Sequence, residues 1–107
     1  MTGAEIGAAA LRLAEELRVA AFDFTDRRKV TAGARGWPDY VFLGPKGLIF
    51  REVKGDTDSL TKEQTAVGYA LKALGLDWAA WHSFDLRNGA IRRQLEALNP
   101  QKRRFTP

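Results

Sequence analysis

The chain has 107 residues, of which 45% are apolar and 28% charged, and its formal net charge is +4. This size and composition indicate one globular domain, and the absence of cysteine excludes disulfides, thiolate zinc sites and cysteine nucleophiles. The single histidine, His82, excludes zinc sites built on paired histidines. No apolar run reaches the roughly 18 residues of a membrane span, and no signal peptide is recognisable. We therefore expect a cytoplasmic location and no membrane partner.

The predicted elements follow the order α-β-β-β-α-β-α. Apolar residues at helical spacing predict an amphipathic helix over residues 4–20. Gly44–Gly47 has the composition of a hairpin turn between the second and third strands. Thr61 and Gln64 fit a capping box at the start of a second long helix. The remaining predicted segments are strands at 20–24, 40–43, 48–54 and 76–83, and helices at 62–74 and 88–98.

A helix separates the last two predicted strands, so the last strand is expected to lie parallel to a neighbour in the sheet. The predicted fold class is therefore α/β, with a mixed sheet flanked by helices. Residues 1–100 are predicted to form one domain, and residues 101–107 a basic, mobile tail.

Positive charge is concentrated in two segments. Residues 27–38 contain four basic residues and no acidic one, and residues 92–107 contain five basic residues against Glu96 alone. Such patches suit a polyanionic partner. A solvated surface is the simpler explanation unless a neighbouring site requires a phosphate.

Three charged residues lie at the ends of the apolar hairpin strands. Asp39 precedes the second strand, and Glu52 and Lys54 end the third. Because side chains alternate along a strand, Glu52 and Lys54 share a face, and a turn at 44–47 places Asp39 opposite Glu52. Facing carboxylates repel each other. Lys54 would offset this repulsion in part, whereas a divalent cation would offset it fully, and the oxygen ligands suit Mg²⁺ or Mn²⁺.

Two neighbouring features are predicted to be structural. Arg51 points to the face opposite Glu52, where a carboxylate such as Asp23 or Asp77 is its expected partner. Trp78 and Trp81 are expected on opposite faces of the last strand.

The chain resembles the stand-alone VRR-NUC (virus-type replication-repair nuclease) domains of phage and bacteria, within the PD-(D/E)XK nuclease superfamily. The segments that match in order and spacing are 36–39 (Gly-Trp-Pro-Asp), 50–54 (Phe-Arg-Glu-Val-Lys) and 60–64 (Leu-Thr-Lys-Glu-Gln). The resemblance covers nearly the whole chain except the tail. Trp37 and His82 depart from the usual pattern, which puts substrate contacts in doubt more than the chemistry.

The resemblance implies a restriction-endonuclease-like fold and a metal-dependent endonuclease that hydrolyses DNA phosphodiesters. Asp39 and Glu52, with the backbone carbonyl of Val53, would hold Mg²⁺ or Mn²⁺. Lys54 would orient the attacking water or stabilise negative charge on the phosphate.

The resemblance also assigns roles to residues outside the hairpin. Gln64 would contact water or a phosphate oxygen at the metal, with plain helix capping as the alternative. Glu5 would hold water or a second metal, with a favourable interaction with the helix dipole as the alternative. Once an active site lies beside them, the basic residues of the preceding loop would contact DNA phosphates: Arg27, Arg28, Lys29 and Arg35.

Stand-alone members of the family suggest structure-selective cutting of branched or Holliday-junction-like DNA, in repair or recombination in a bacterial or phage-infected cytoplasm. Symmetric cutting needs two sites, so a homodimer is expected. Two alternatives stay open: a non-catalytic basic nucleic-acid-binding module, and a monomeric flap or nicking nuclease.

Overall fold

A computed structural model describes residues 1–26 and 35–107 of the chain. The elements in chain order are α1 (Gly3–Glu16), β1 (Ala20–Asp23), β2 (Tyr40–Gly44), β3 (Gly47–Val53), α2 (Lys62–Ala73), β4 (Asp77–Trp81), α3 (Ser83–Arg87) and α4 (Ala90–Leu98).

The four strands form one mixed sheet in the order β1-β2-β3-β4. β1 pairs with β2 and β2 with β3 in antiparallel fashion, whereas β3 and β4 are parallel. The parallel pair arises because α2 carries the chain back before β4 begins. The predicted α/β class, with a mixed sheet flanked by helices, is confirmed.

Alternating side chains give the sheet two apolar faces. One face packs with α1 and α4 around a core that includes Ile6, Phe42 and Trp81. The other face packs with α2 around Val41, Phe50, Leu71 and Trp78. The two tryptophans of β4 therefore lie on opposite faces, as predicted.

Helix α2 approaches the sheet closely at Gly68. A Cβ atom at this position would lie 2.5 Å from the Trp78 ring, which is too close for any side chain. The glycine thus exchanges helix propensity for close packing on β4.

Three predicted boundaries were wrong by two or more residues. The first helix ends at Glu16 rather than at residue 20, because Leu17 is its C-cap and Arg18 has a φ of 59°. The last strand ends at Trp81, because the Asp85 carboxylate accepts from the His82 N–H at 2.9 Å and begins the unpredicted helix α3. The final helix begins at Ala90, after Gly89 with a φ of 81°. Each error reflects a local cap that interrupts an otherwise continuous apolar pattern.

Within residues 1–26 and 35–107, none of the helices combines the length and apolar character that crossing a bilayer requires.

Candidate active site

The hairpin register brings the two predicted carboxylates together. Gly44 pairs with Gly47 across a two-residue turn, and Tyr40 pairs with Arg51. Continuing this register by one residue places Asp39 opposite Glu52, as the sequence predicted. Asp39 is only 9% exposed and Glu52 is 0% exposed. The end of the hairpin therefore holds two adjacent carboxylates away from bulk water.

The Asp39 carboxylate contacts the backbone of β3. Its Oδ2 accepts from the Val53 N–H at 2.9 Å. The next residue, Lys54, donates its N–H to the Trp81 carbonyl at 2.9 Å and so faces β4. Because the polar groups of successive strand residues point to opposite sides, those of Val53 point toward Asp39.

The Val53 carbonyl oxygen also lies against the start of α1. A Cβ atom at Gly3 would lie 3.2 Å from this oxygen, so only a residue without a side chain allows the close approach without a shift. The N-terminus of α1 and the end of β3 therefore meet beside Asp39, where they line a cavity of about 370 Å³ that also contains Thr25. This places the predicted carbonyl ligand at the same edge of the sheet as the carboxylates.

Glu52 is held by the first turn of α2. Its Oε2 accepts from Gln64 Nε2 at 2.9 Å. The other end of the same amide, Gln64 Oε1, accepts from the Thr61 N–H at 2.9 Å, and Thr61 Oγ accepts from the Gln64 N–H at 3.1 Å. The predicted capping box is confirmed, and the capping side chain also binds the buried carboxylate. A contact between Gln64 and substrate stays a prediction.

Burying Glu52 carries a cost, because an ionised carboxylate loses its hydration in the interior. Hydrogen bonds to a charged group offset part of that cost, each by about 1.5–3 kcal/mol. The Gln64 amide thus stabilises the buried Glu52 carboxylate by a direct hydrogen bond, and its own bond to Thr61 fixes its orientation.

Lys54 is half-buried and, by strand alternation, shares the face of Glu52. Among the described residues no ion pair joins its ammonium to a carboxylate. The expected partial compensation by Lys54 is therefore not made by a direct ion pair in this structure.

Glu5 lies in the first turn of α1, where it is exposed and forms a capping box with Thr2. Its Oε1 accepts from the Thr2 N–H at 3.0 Å, and its own N–H donates to Thr2 Oγ at 3.2 Å. The bond from the Thr2 backbone lowers the pKa of Glu5 below its ordinary value. Glu5 is thus an acidic residue of the first helical turn, as the helix-dipole alternative has it, and it also caps the helix; a role in metal binding stays a prediction.

The loop before Asp39 is anchored on α2, a feature that sequence reasoning missed. Gly36 has a φ of 83°, and a Cβ atom there would lie 2.3 Å from the Glu63 carbonyl oxygen. Trp37 packs edge-on between Phe24 and Phe50, with ring centroids 6.1 and 5.8 Å apart. Gly36 was a usable signal, because a glycine before Trp-Pro-Asp indicates a constrained turn.

Of the four basic residues predicted to contact DNA, the structure describes one. Arg35 is exposed in the turn that leads to Trp37 and Asp39. Arg27, Arg28 and Lys29 lie outside the described residues. Their contact with phosphates stays a prediction.

Arg51 belongs to the opposite face, as predicted. Its Nη1 pairs with Asp77 Oδ1 at 2.9 Å, and its Nη2 donates to Gln94 Oε1, also at 2.9 Å. Gln94 Oε1 accepts from Trp81 Nε1 as well, at 2.9 Å. Burial lowers the pKa of Arg51, and the Asp77 carboxylate opposes that shift. Arg51 therefore ties β3 to α4 and takes no part in the carboxylate site; nothing local in the sequence identifies Gln94 as its partner.

The donors available for a metal are the carboxylates of Asp39 and Glu52 and the carbonyl of Val53. These oxygens are of the type that Mg²⁺ and Mn²⁺ prefer, and Mg²⁺ commonly takes one or two carboxylates and completes its shell with water and phosphate oxygens. In the part of the chain that the structure describes, no cluster of three or more Asp, Glu or His residues encloses a metal site. The donor set fits such an ion in chemical type and in number of carboxylates.

No protein-family model matches the chain, and comparisons with curated proteins and with solved structures find no match.

Proposed function

We propose that this protein is a divalent-metal-dependent DNA endonuclease of the PD-(D/E)XK type, similar to VRR-NUC domains. The observation that carries the proposal is the burial of Glu52 and Asp39 at one end of the hairpin, where the register of β2 and β3, continued by one residue, places them opposite each other. Facing carboxylates repel each other, and a divalent cation bound between them would relieve that repulsion. Their position beside Lys54 and Gln64 supports phosphodiester chemistry over a purely structural role.

Each of these residues has a role that follows from its contacts. Asp39 and Glu52, with the Val53 carbonyl, would hold Mg²⁺ or Mn²⁺, which supplies charge neutralisation at the phosphate and lowers the pKa of water. The Val53 N–H fixes the Asp39 carboxylate, and the Gln64 amide fixes the Glu52 carboxylate, so both are preorganised. Lys54 would orient the attacking water or stabilise the negative charge that develops on the phosphate.

Branched or Holliday-junction-like DNA is the proposed substrate, in repair or recombination within the cytoplasm, and a homodimer is the proposed assembly. Arg35, which is exposed in the turn that leads to Asp39, supports contact with the sugar–phosphate backbone. Tyr69 of α2 and its C-cap Leu74 are 66% and 76% exposed, and these apolar side chains are the candidate contacts of that dimer. Sedimentation or light scattering of the full chain tests the dimer, and a monomeric mass favours a flap or nicking nuclease.

The test of activity is cleavage of end-labelled four-way junction, flap, duplex and single-stranded DNA, with Mg²⁺, Mn²⁺ or a chelator. Asp39→Asn is the sharpest variant, because asparagine keeps an oxygen to accept from the Val53 N–H and removes only the charge. We expect metal-dependent products that disappear in Asp39→Asn and in Lys54→Ala, while DNA binding is retained in both.

Glu15→Gln is the matched control, because it removes an exposed carboxylate from the same molecule at a position away from the hairpin. It should cut like the unmodified chain. If no substrate is cut with either metal although DNA binds tightly, the proposal fails and a non-catalytic nucleic-acid-binding module takes its place. If Lys54→Ala loses binding and turnover in parallel, the role assigned to Lys54 is wrong.

A further inference from the structure

A buried asparagine fixes the start of the basic C-terminal segment. Asn99 is only 1% exposed. Its Nδ2 donates to the carbonyl oxygens of Leu17, Arg18 and Arg103 at 3.3, 3.0 and 2.8 Å. Its Oδ1 accepts from the Arg103 N–H at 3.1 Å. One side chain thus ties the backbone of Arg103 to the turn between α1 and β1.

This arrangement includes two unusual backbone conformations. Arg18 and Lys102 have φ values of 59° and 50°, which residues with a side chain rarely adopt. Such conformations persist only where surrounding contacts determine them. Arg18 accepts a hydrogen bond from Asn99, and Lys102 directly precedes Arg103, which Asn99 also binds. These bonds therefore fix the backbone of the C-terminal segment as far as Arg103. The mobility predicted for residues 101–107 stays a prediction.

The turn and the segment together form a basic surface, which we name the tail patch: Arg18, Lys102, Arg103 and Arg104. All four side chains are exposed. Arg18 and Arg104 line a shared open groove of about 500 Å³ with Val19, Ala20, Phe105 and Thr106. The groove has no acidic lining residue.

Nearby acidic residues leave the tail patch positive. Glu16 is paired with Arg92 at 3.0 Å, and no carboxylate in the described part of the chain forms an ion pair with a patch residue. Glu15 and Glu96 are the remaining acids on α1 and α4 near these chain ends. Four positive charges therefore outnumber the acids that are not already paired.

We propose that the tail patch binds the phosphate backbone of duplex DNA, at a second contact separate from Asp39 and Glu52. The choice of DNA as the polyanion rests on the proposed function. Ala20, beside the patch, pairs with Leu43, whereas Asp39 lies at the other end of β2. Four residues of strand separate these ends by about 13 Å. A duplex that contacts both places must extend over at least this distance, as an extended polyanion does.

The experiment measures binding of the full chain to a fluorescent duplex of mixed sequence by anisotropy, in chelator, over a range of salt concentrations. The test variant is Arg18→Gln/Arg104→Gln, which removes the two arginines of the groove. The matched control is Arg12→Gln/Lys72→Gln, which removes the same charge from exposed positions elsewhere. Each lost phosphate contact lowers the slope of log K against log salt by about 0.9.

We expect the test variant to lose about 1.8 from the magnitude of that slope and to bind at least about 10-fold more weakly at low salt. The control should keep the slope of the unmodified chain. Equal losses in both variants would assign the effect to net charge and overturn the tail patch, as would an unchanged slope in the test variant.

The two proposals fail separately. Because binding is measured without metal, loss of slope without any metal-dependent cleavage would support the tail patch and reject the nuclease. Cleavage by the unmodified chain together with an unchanged slope in the test variant would do the reverse.

Discussion

The hydrogen bond between Gln64 and Glu52 can be tested by replacing the amide with a carboxylate. Gln64→Glu keeps an oxygen to accept from the Thr61 N–H, so the capping box survives. In the unmodified chain Gln64 Nε2 donates to Glu52 Oε2 at 2.9 Å, and in the variant a carboxylate oxygen replaces that nitrogen. At that separation two negative charges repel by about 6 kcal/mol at an effective dielectric constant near 20. The pair therefore takes up a proton instead and shares it.

The cost of that proton sets the magnitude. Glutamate has an ordinary pKa of about 4.3, so protonating one carboxyl costs about 4 kcal/mol at pH 7 and about 1 kcal/mol at pH 5. The pKa of the pair is raised in the folded state, so the folded state binds more protons than the unfolded state above about pH 4.3. The stability of the variant consequently falls as pH rises. The change of about 3 kcal/mol corresponds to roughly 10–20 °C in Tm for a domain of this size.

The assay is thermal unfolding by circular dichroism at pH 5 and pH 7, with the unmodified chain at each pH as reference. Ala66→Glu is the control, because it adds the same charge on the exposed side of α2, and we expect it to change stability by less than about 0.5 kcal/mol. If Gln64→Glu shows the same deficit in Tm at both pH values, or no deficit at all, the Gln64 side chain does not contact the buried Glu52 carboxylate.

Two further predictions concern the loop and the metal. Gly36→Ala should destabilise the fold by more than 2 kcal/mol, at the order of magnitude of overpacking plus backbone strain, because its Cβ would lie 2.3 Å from the Glu63 carbonyl. Gly75 has a similar φ of 80°, but a Cβ atom there would have no atom within 4 Å. In urea unfolding, Gly75→Ala should therefore lower the free energy of unfolding by less, through backbone strain alone. Equal decreases in the two variants would contradict the packing argument. Millimolar Mg²⁺ or Mn²⁺ should raise the Tm, because a ligand that binds only the folded state stabilises it. At a hundredfold excess over Kd the free energy of unfolding rises by about 2.7 kcal/mol. Asp39→Asn should remove that stabilisation. If metal leaves the Tm of the unmodified chain unchanged, the predicted metal site is wrong.

Much of the hairpin could be predicted because its determinants are local. The Gly-Pro-Lys-Gly turn fixes the register of β2 and β3, and a side-chain period of two then assigns faces to Arg51 and Glu52. The capping boxes are equally local, since donor and acceptor lie three residues apart. These short-range rules were sufficient to place Asp39 opposite Glu52.

The same rules failed where a local cap competes with apolar periodicity. Helix α3 was missed because the strand was extended beyond Trp81 through His82 and Ser83, while the carboxylate of Asp85 already caps a new helix. The end of α1 was missed for a related reason, since Leu17 and Ala20 fit helical spacing but Arg18 turns the chain. Periodicity reports which side chains are buried, and it reports less well where the backbone changes direction.

The sequence by itself determined the element order apart from α3, the hairpin register and the residue types at the open end of the hairpin. Only the tertiary structure decided that Gln64 binds Glu52, that Asp39 accepts from Val53, and that Asn99 ties Arg103 to Arg18. The first group depends on contacts within a few residues or on the fixed geometry of one hairpin. The second group joins residues 12 to 82 positions apart, or depends on the exact reach of a side chain, and such contacts are set by how the helices cross the sheet.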